Sequence, residues 1–178
     1  MPIITSECPF KPLIDDSYTR VISRSSNGSR QDYVDYTLAQ SVDPARCIAI
    51  INNGTGHYYS MGGRAHSIGF LAEIPDQDTL RLWVGGAAVH DLQDYTYNIP
   101  IIIYKFGLTP KRIETVMTTG NAIGGESVSL SSSVNLSKSA IFGAAAGSLN
   151  WIDSDCNWDD NDSISFNYTI GCIVVEFY

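Results

Sequence analysis

The chain has 178 residues, 44% hydrophobic and 17% charged, which suits one ordinary domain or two small ones and excludes disorder, collagen and a coiled coil. Its formal net charge is −8 and no basic run offsets it, so general affinity for nucleic acid, which needs clustered Lys and Arg to displace counterions from phosphates, is excluded. No apolar run is long enough to span a bilayer as a helix, so no membrane insertion is expected.

The first sixteen residues lack a basic region followed by an apolar core, so no secretory signal is expected. Residues 1–18 are polar and carry Pro2, Pro9 and Pro12. They read as an extended N-terminal arm that docks on a partner, a neighbouring subunit first. Strand-like runs follow at Tyr33–Leu38, Arg46–Asn52, Ile68–Glu73, Thr79–Val84 and Tyr97–Phe106. The segment Gly107–Lys111 has turn composition and serves as a linker. Beyond it lie Arg112–Met117, Ser127–Ser131, Ser139–Ala144, Ser148–Ile152, Ser163–Tyr168 and Ile170–Phe177. These runs are short, β-branched or aromatic, and parted by Gly, Asn, Asp and Pro. No stretch of a dozen residues carries a 3.6-residue apolar stripe, and a helical turn near Asp43–Arg46 is the only helical signal. The fold class is all-β.

An internal repeat organises these runs. At an offset of 92, Arg20-Val21 falls on Arg112-Ile113, Leu38 on Leu130, Ser41-Val42-Asp43 on Ser133-Val134-Asn135, and Arg46 on Lys138. At an offset of 71, Tyr97–Phe106 falls on Tyr168–Phe177. The offsets differ by 21 residues, which places an insertion in the first copy, around residues 54–90. The expected architecture is two tandem small antiparallel β-sandwich domains related by internal duplication. The first spans 19–107 and the second 108–178, after the arm at 1–18. The closing strands carry consecutive aliphatics, Ile101 to Tyr104 and Cys172 to Val175. A strand alternates, so each must be an interior strand covered on both faces, by its own core and by the sister domain or another subunit. Lys105 and Glu176 occupy equivalent places and, being charged, are expected at the wet rim.

The densest oxygen cluster is Asp153, Asp155, Asn157 and Asp159, followed by Asp160 and Asp162. Alternating Asp and Asn can gather hard oxygens around Ca²⁺. Trp158 stands where an EF-hand needs Gly and Ile164 where it needs Glu, so this is not an EF-hand. The competing reading is a solvated acidic turn. Tyr58, Tyr59, Trp83, Trp151 and Trp158 lie beside polar residues, in the insertion or around the acidic cluster. They are candidates for glycan binding, because an aromatic ring stacks on a pyranose face while short polar groups bond its hydroxyls. Strand packing is the competing reading for each. His57, His66 and His90 show no short metal-ligand spacing. Cys8, Cys47, Cys156 and Cys172 fit no zinc or CxxC pattern and read as free thiols, buried or half-buried, in a protein made in a reducing cytosol. No nucleophile elbow, HExxH or phosphate loop is present, and no enzyme is expected.

The unit resembles a β-repeat of tailed-bacteriophage virion proteins, found in tail-fibre, adhesin and capsid-surface components. The resemblance rests on the turn Ser41-Val42-Asp43-Pro44-Ala45-Arg46 before an apolar strand, with Ser133-Val134-Asn135-Leu136-Ser137-Lys138 as its second copy, and on the closing Val174-Val175-Glu176-Phe177. The first copy departs from it, with Tyr104-Lys105 for Val-Glu and with the insertion; residues 1–18 lie outside it. The resemblance implies a non-enzymatic protein located in the virion after synthesis in the host cytoplasm. It implies self-assembly by symmetry, a trimer first, and contacts to other virion proteins through the arm. It implies no catalytic residue and no cofactor. The alternative is a carbohydrate-binding adhesin that recognises a host-surface polysaccharide.

Overall fold

The computed structural model describes residues 10–22, 32–51, 57–61, 64–87, 95–118, 126–143, 155–167 and 170–178. Among these, the regular structure is strand throughout, apart from one 3₁₀ turn at Leu136–Lys138, and no helix is long and apolar enough to cross a membrane. The first half contains β1 (Phe10–Ile22), β2 (Asp32–Thr37), β3 (Cys47–Ile51), β4 (His57–Met61), β5 (Arg64–Asp76), β6 (Thr79–Ala87) and β7 (Tyr95–Phe106). The second contains β8 (Arg112–Met117), β9 (Glu126–Ser129), β10 (Ser139–Gly143), β11 (Asp155–Trp158), β12 (Ser163–Asn167) and β13 (Gly171–Glu176).

Each half builds two antiparallel sheets. In the first half the orders are β1-β7-β3 and β2-β6-β5-β4; in the second they are β8-β13-β10 and β9-β12-β11. The registers correspond as well. Cys47 faces Lys105, and Ser139 faces Glu176; Thr37 faces Thr79, and Ser129 faces Ser163. The turns are held by corresponding bonds. Leu38 N–H donates to the Asp78 carbonyl at 2.8 Å and Leu130 N–H to that of Asp162 at 2.8 Å. Phe106 N–H donates to Arg46 and Phe177 N–H to Lys138, both at 2.8 Å. Asp78 N–H donates to the Asp76 carboxylate at 2.9 Å, and Asp162 N–H to that of Asp160 at 3.0 Å. Short Asx turns of this kind let a carboxylate fix the hairpin that follows it.

Alternation decides what the closing strands bury. Ile99, Ile101 and Ile103 of β7 enter one core with Phe70, Ala72, Leu80 and Leu82 from β5 and β6, so both sheets of the first half contribute to it. Cys172 and Val174 of β13 do the same with Ile164 and Phe166 of β12. The opposite faces meet each other. Ile48, Leu71 and Phe106 of the first half cluster with Ile170, Ile173 and Val175 of the second. The Phe106 and Phe177 rings meet edge to face, 5.5 Å between centroids. Both closing strands are therefore interior in their sheets and buried on both faces, the second face by the sister half. Gly171 sits at this junction. A Cβ there would collide with the Val116 carbonyl oxygen on the neighbouring strand β8, so that strand pairing requires glycine, and Leu71 Cδ2 of the first half stands 3.2 Å away.

Four expectations change. Phe10–Tyr18 is not a free docking arm: it runs antiparallel to β7, from Phe10 opposite Phe106 to Tyr18 opposite Ile99, and Tyr18 is buried in the first core. Pro12 is tolerated because it falls at an irregularity of an edge strand, between Pro12 and Ile14. Within the insertion, where Ile68–Glu73 and Thr79–Val84 are the expected strands, the described residues add β4 and lengthen both runs into β5 and β6. Part of the acidic cluster is strand, since Asp155–Trp158 pairs with β12. Finally, Lys105 is exposed as expected, but Glu176 is 2% exposed. Its carboxylate is satisfied inside, by Lys111 Nζ at 2.8 Å and the Asn135 N–H at 3.0 Å, with Arg112 Nε at 4.0 Å. The strand expected at Ser148–Ile152 lies outside the described residues.

Candidate functional site

The face of β2, β6 and β5 turned away from the first core carries an interlocked arrangement of aromatic and charged groups, running from the exposed Tyr33 to Leu71, which is buried at the junction of the halves. Its origin is register. Asp35 lies opposite Arg81, and Arg81 opposite Glu73; Tyr33 lies opposite Trp83, and Trp83 opposite Leu71. These positions alternate with Leu80, Leu82 and Val84, which face the core. Two cross-strand rows therefore stand side by side on one face, one charged and one aromatic.

The rows interlock at Arg81. Its guanidinium donates two parallel bonds to Asp35, Nε to Oδ1 at 2.8 Å and a terminal nitrogen to Oδ2 at 2.9 Å. Glu73 lies 3.6 Å from its other arm. The guanidinium carbon is 4.1 Å from the Tyr33 ring centroid and 5.9 Å from that of Trp83. Tyr33 and Trp83 meet at 4.7 Å with a 58° tilt. The Arg81 bonds hold the Asp35 carboxyl below the usual range, and Asp35 in turn raises the guanidinium. Tyr33 is 44% exposed. Trp83 is half-buried, packs against the apolar cluster at the junction of the halves, and has its indole N–H buried without a hydrogen-bond partner, so its role is packing like that of Trp158. The strip thus offers to solvent the Tyr33 ring, a paired guanidinium and carboxylate edges, but no Trp83 donor. It can stack on a flat apolar face or pack against another chain.

Trp83 is the glycan candidate that this strip includes. Trp158 is half-buried and packs against the second core, which favours a packing role. Tyr58 and Tyr59 lie in β4, on an edge of the same sheet, opposite Ser67 and His66, and their side chains are outside the described residues. Trp151 is outside them altogether. The site's other members, Tyr33, Asp35 and Arg81, were not singled out from sequence. The alternation in Tyr33-Val34-Asp35 and Arg81-Leu82-Trp83 marks them as outward, but only the register between strands brings them together.

Two of the acidic-cluster residues, Asp159 and Asp160, are engaged in local hydrogen bonds. Asp155 and Asn157 occupy alternate positions of β11, Asn157 is exposed, and Asp153 lies outside the described residues. Asp159 accepts from Ser127 Oγ at 2.6 Å. Asp160 accepts from the Asp162 N–H and from Ser163 Oγ at 2.7 Å, bonds that lower its pKa, while hydrogen bonding to Asp160 and repulsion from it raise Asp162. These carboxylates hold turns. Among the described residues no group of three or more His, Cys, Asp or Glu is placed to hold a metal.

No family model, curated protein or solved structure matches this chain.

Proposed function

We propose that the chain is a non-enzymatic structural component of a bacteriophage particle, assembling with other virion proteins in a tail, fibre or capsid-surface position. The observation that carries this reading is the correspondence of the two halves in strand order, register and turn bonds. It supports an internally duplicated pair of small β-sandwiches, split at the linker, and the repeated turn is the same segment on which the virion resemblance rests. The fusion of the two units through an apolar junction gives a stiff building block, a suitable property for a particle subunit. Docking on other virion proteins through the N-terminus is, in this reading, restricted to residues 1–9, because Phe10–Ile22 is a strand of the first unit. Closed cyclic assembly, a trimer first, completes the proposal. Sedimentation equilibrium of the purified full chain is its test. A mass three times that of the chain is expected, and a strict monomer at tens of micromolar counts against self-assembly.

A second reading is favoured by the Tyr33–Arg81–Trp83 strip: an adhesin that stacks a host-surface polysaccharide on Tyr33. Stacked aromatic contacts contribute about 0.5–1.5 kcal/mol each. Tyr33→Ala should therefore weaken retention on immobilised host polysaccharide by several-fold with the melting midpoint nearly unchanged. Equal retention of both proteins, or no retention of either, removes this reading.

A further inference from the structure

The second half brings two thiols together. Cys172 lies on β13, the middle strand of one sheet, and is buried in the core of that half. Cys156 lies on β11, an edge strand of the facing sheet, and is half-buried against the same cluster. Cys156 therefore packs from the facing sheet against the cluster that buries Cys172, and the neighbouring thiol raises the Cys172 pKa. The corresponding places in the first half, matched through the turns and closing strands, hold Ala72 and Ile101, both buried in its core. The fold itself therefore fills these positions with ordinary apolar packing, and the thiol pair is particular to the second half.

We infer that Cys156 and Cys172 are a modification site: they form a disulfide that joins the two sheets of the second half when the folded chain meets a small-molecule disulfide. A covalent link across the core between facing sheets is an arrangement that immunoglobulin-type domains also use. The order of events follows from exposure. The Cys156 thiolate, at the half-buried edge, attacks one sulfur of the small disulfide and releases one small thiol, leaving a mixed disulfide on Cys156. The Cys172 sulfur then attacks Cys156 Sγ and expels the second small thiol. Two protein thiols are oxidised, one disulfide is reduced to two thiols, and the two protein protons end on those thiols. The Cys156 neighbour and burial both hold the Cys172 proton in place, so Cys172 does not act first; that proton leaves as the Cys172 sulfur bonds Cys156 Sγ and ends on the released thiol.

The sequence makes the test direct. Residues 139–178 contain no Lys or Arg, so trypsin releases them as one peptide holding Cys156 and Cys172, while Cys8 and Cys47 fall in other peptides. The folded full chain is incubated with oxidised glutathione, quenched in acid, alkylated and digested. The expected peptide lacks two hydrogens and takes no alkyl group until it is reduced, after which it takes two. The oxidised chain should also melt higher than the reduced chain, and Cys156→Ser should abolish that rise. A peptide that stays doubly alkylated overturns the inference. So does one that stops at a single glutathione adduct, or that is linked to another chain. Pairing that forms only after unfolding in guanidinium overturns it as well.

Discussion

Glu176 illustrates what single residues reveal and conceal. Its place among Cys172 to Val175 was plain, and a carboxylate beside the terminal Phe suggested the rim. Its burial depends on Lys111 and Asn135, which approach from the linker and from the turn before β10, and sequence spacing says nothing of that approach. The same holds for Arg81, whose outward position was legible while its pairing with Asp35 and Glu73 was not. Glu176 carries a pH signature. The Lys111 bond, then the Asn135 N–H, hold its carboxyl below the ordinary 4.5. A group lowered in the folded state stabilises fully above its unfolded value, and that contribution is lost as pH falls through the folded value. Glu176→Gln should therefore lower the urea midpoint at pH 7, and the gap to the parent chain should narrow as pH drops below about 4.5. A gap that stays constant down to pH 3 means that the ion pair contributes nothing.

At the scale of elements, alternation made most strands legible: Arg112–Met117 was read with its observed bounds, and the other described runs with small shifts at their ends. Three strands were missed, each for a physical reason. β1 carries Pro12 and the pair Asp15-Asp16, which look like loop; on an edge strand such residues face water and leave the ladder to β7 intact. β11 alternates Cys156 and Trp158, on the core side, with Asp155 and Asn157, but its acidity obscured the pattern. β4 contains His57, Tyr58 and Tyr59, which read as candidate ligand and stacking residues, so the short strand they belong to was overlooked. The β1 finding reverses what truncation does. Deleting residues 1–22 removes Tyr18 from the core and bares the edge of β7. Burial of one large side chain is worth about 1.5–3 kcal/mol, and each ladder bond about 0.5–1.5 kcal/mol. The sum over twelve paired positions approaches a whole domain's margin of about 5–15 kcal/mol. The truncated chain should be insoluble or lack a cooperative melt. A soluble truncation melting like the full chain contradicts the pairing.

For the whole molecule, the sequence matches at offsets of 92 and 71 left out a further pair of similar turns, Asp76-Gln77-Asp78 and Asp160-Asn161-Asp162, in each of which the first Asp accepts from the N–H two residues on. The two-sided burial of the closing strands was readable, from consecutive aliphatics that cannot share one face. What covers the second face was left between sister half and second subunit, and Ile48, Leu71, Ile173 and Val175 assign it to the sister half. Among the described residues, Tyr33, Leu108, Leu136 and Tyr178 are the large hydrophobics left exposed, and the proposed assembly would draw on them first. The central claim is that this chain is built into a particle. Its most direct test is quantitative mass spectrometry of gradient-banded particles from the phage proposed as the source of the chain. The account predicts the chain at a fixed copy number per particle, divisible by three. Its absence from banded particles, while it is abundant in the lysate, would contradict the account.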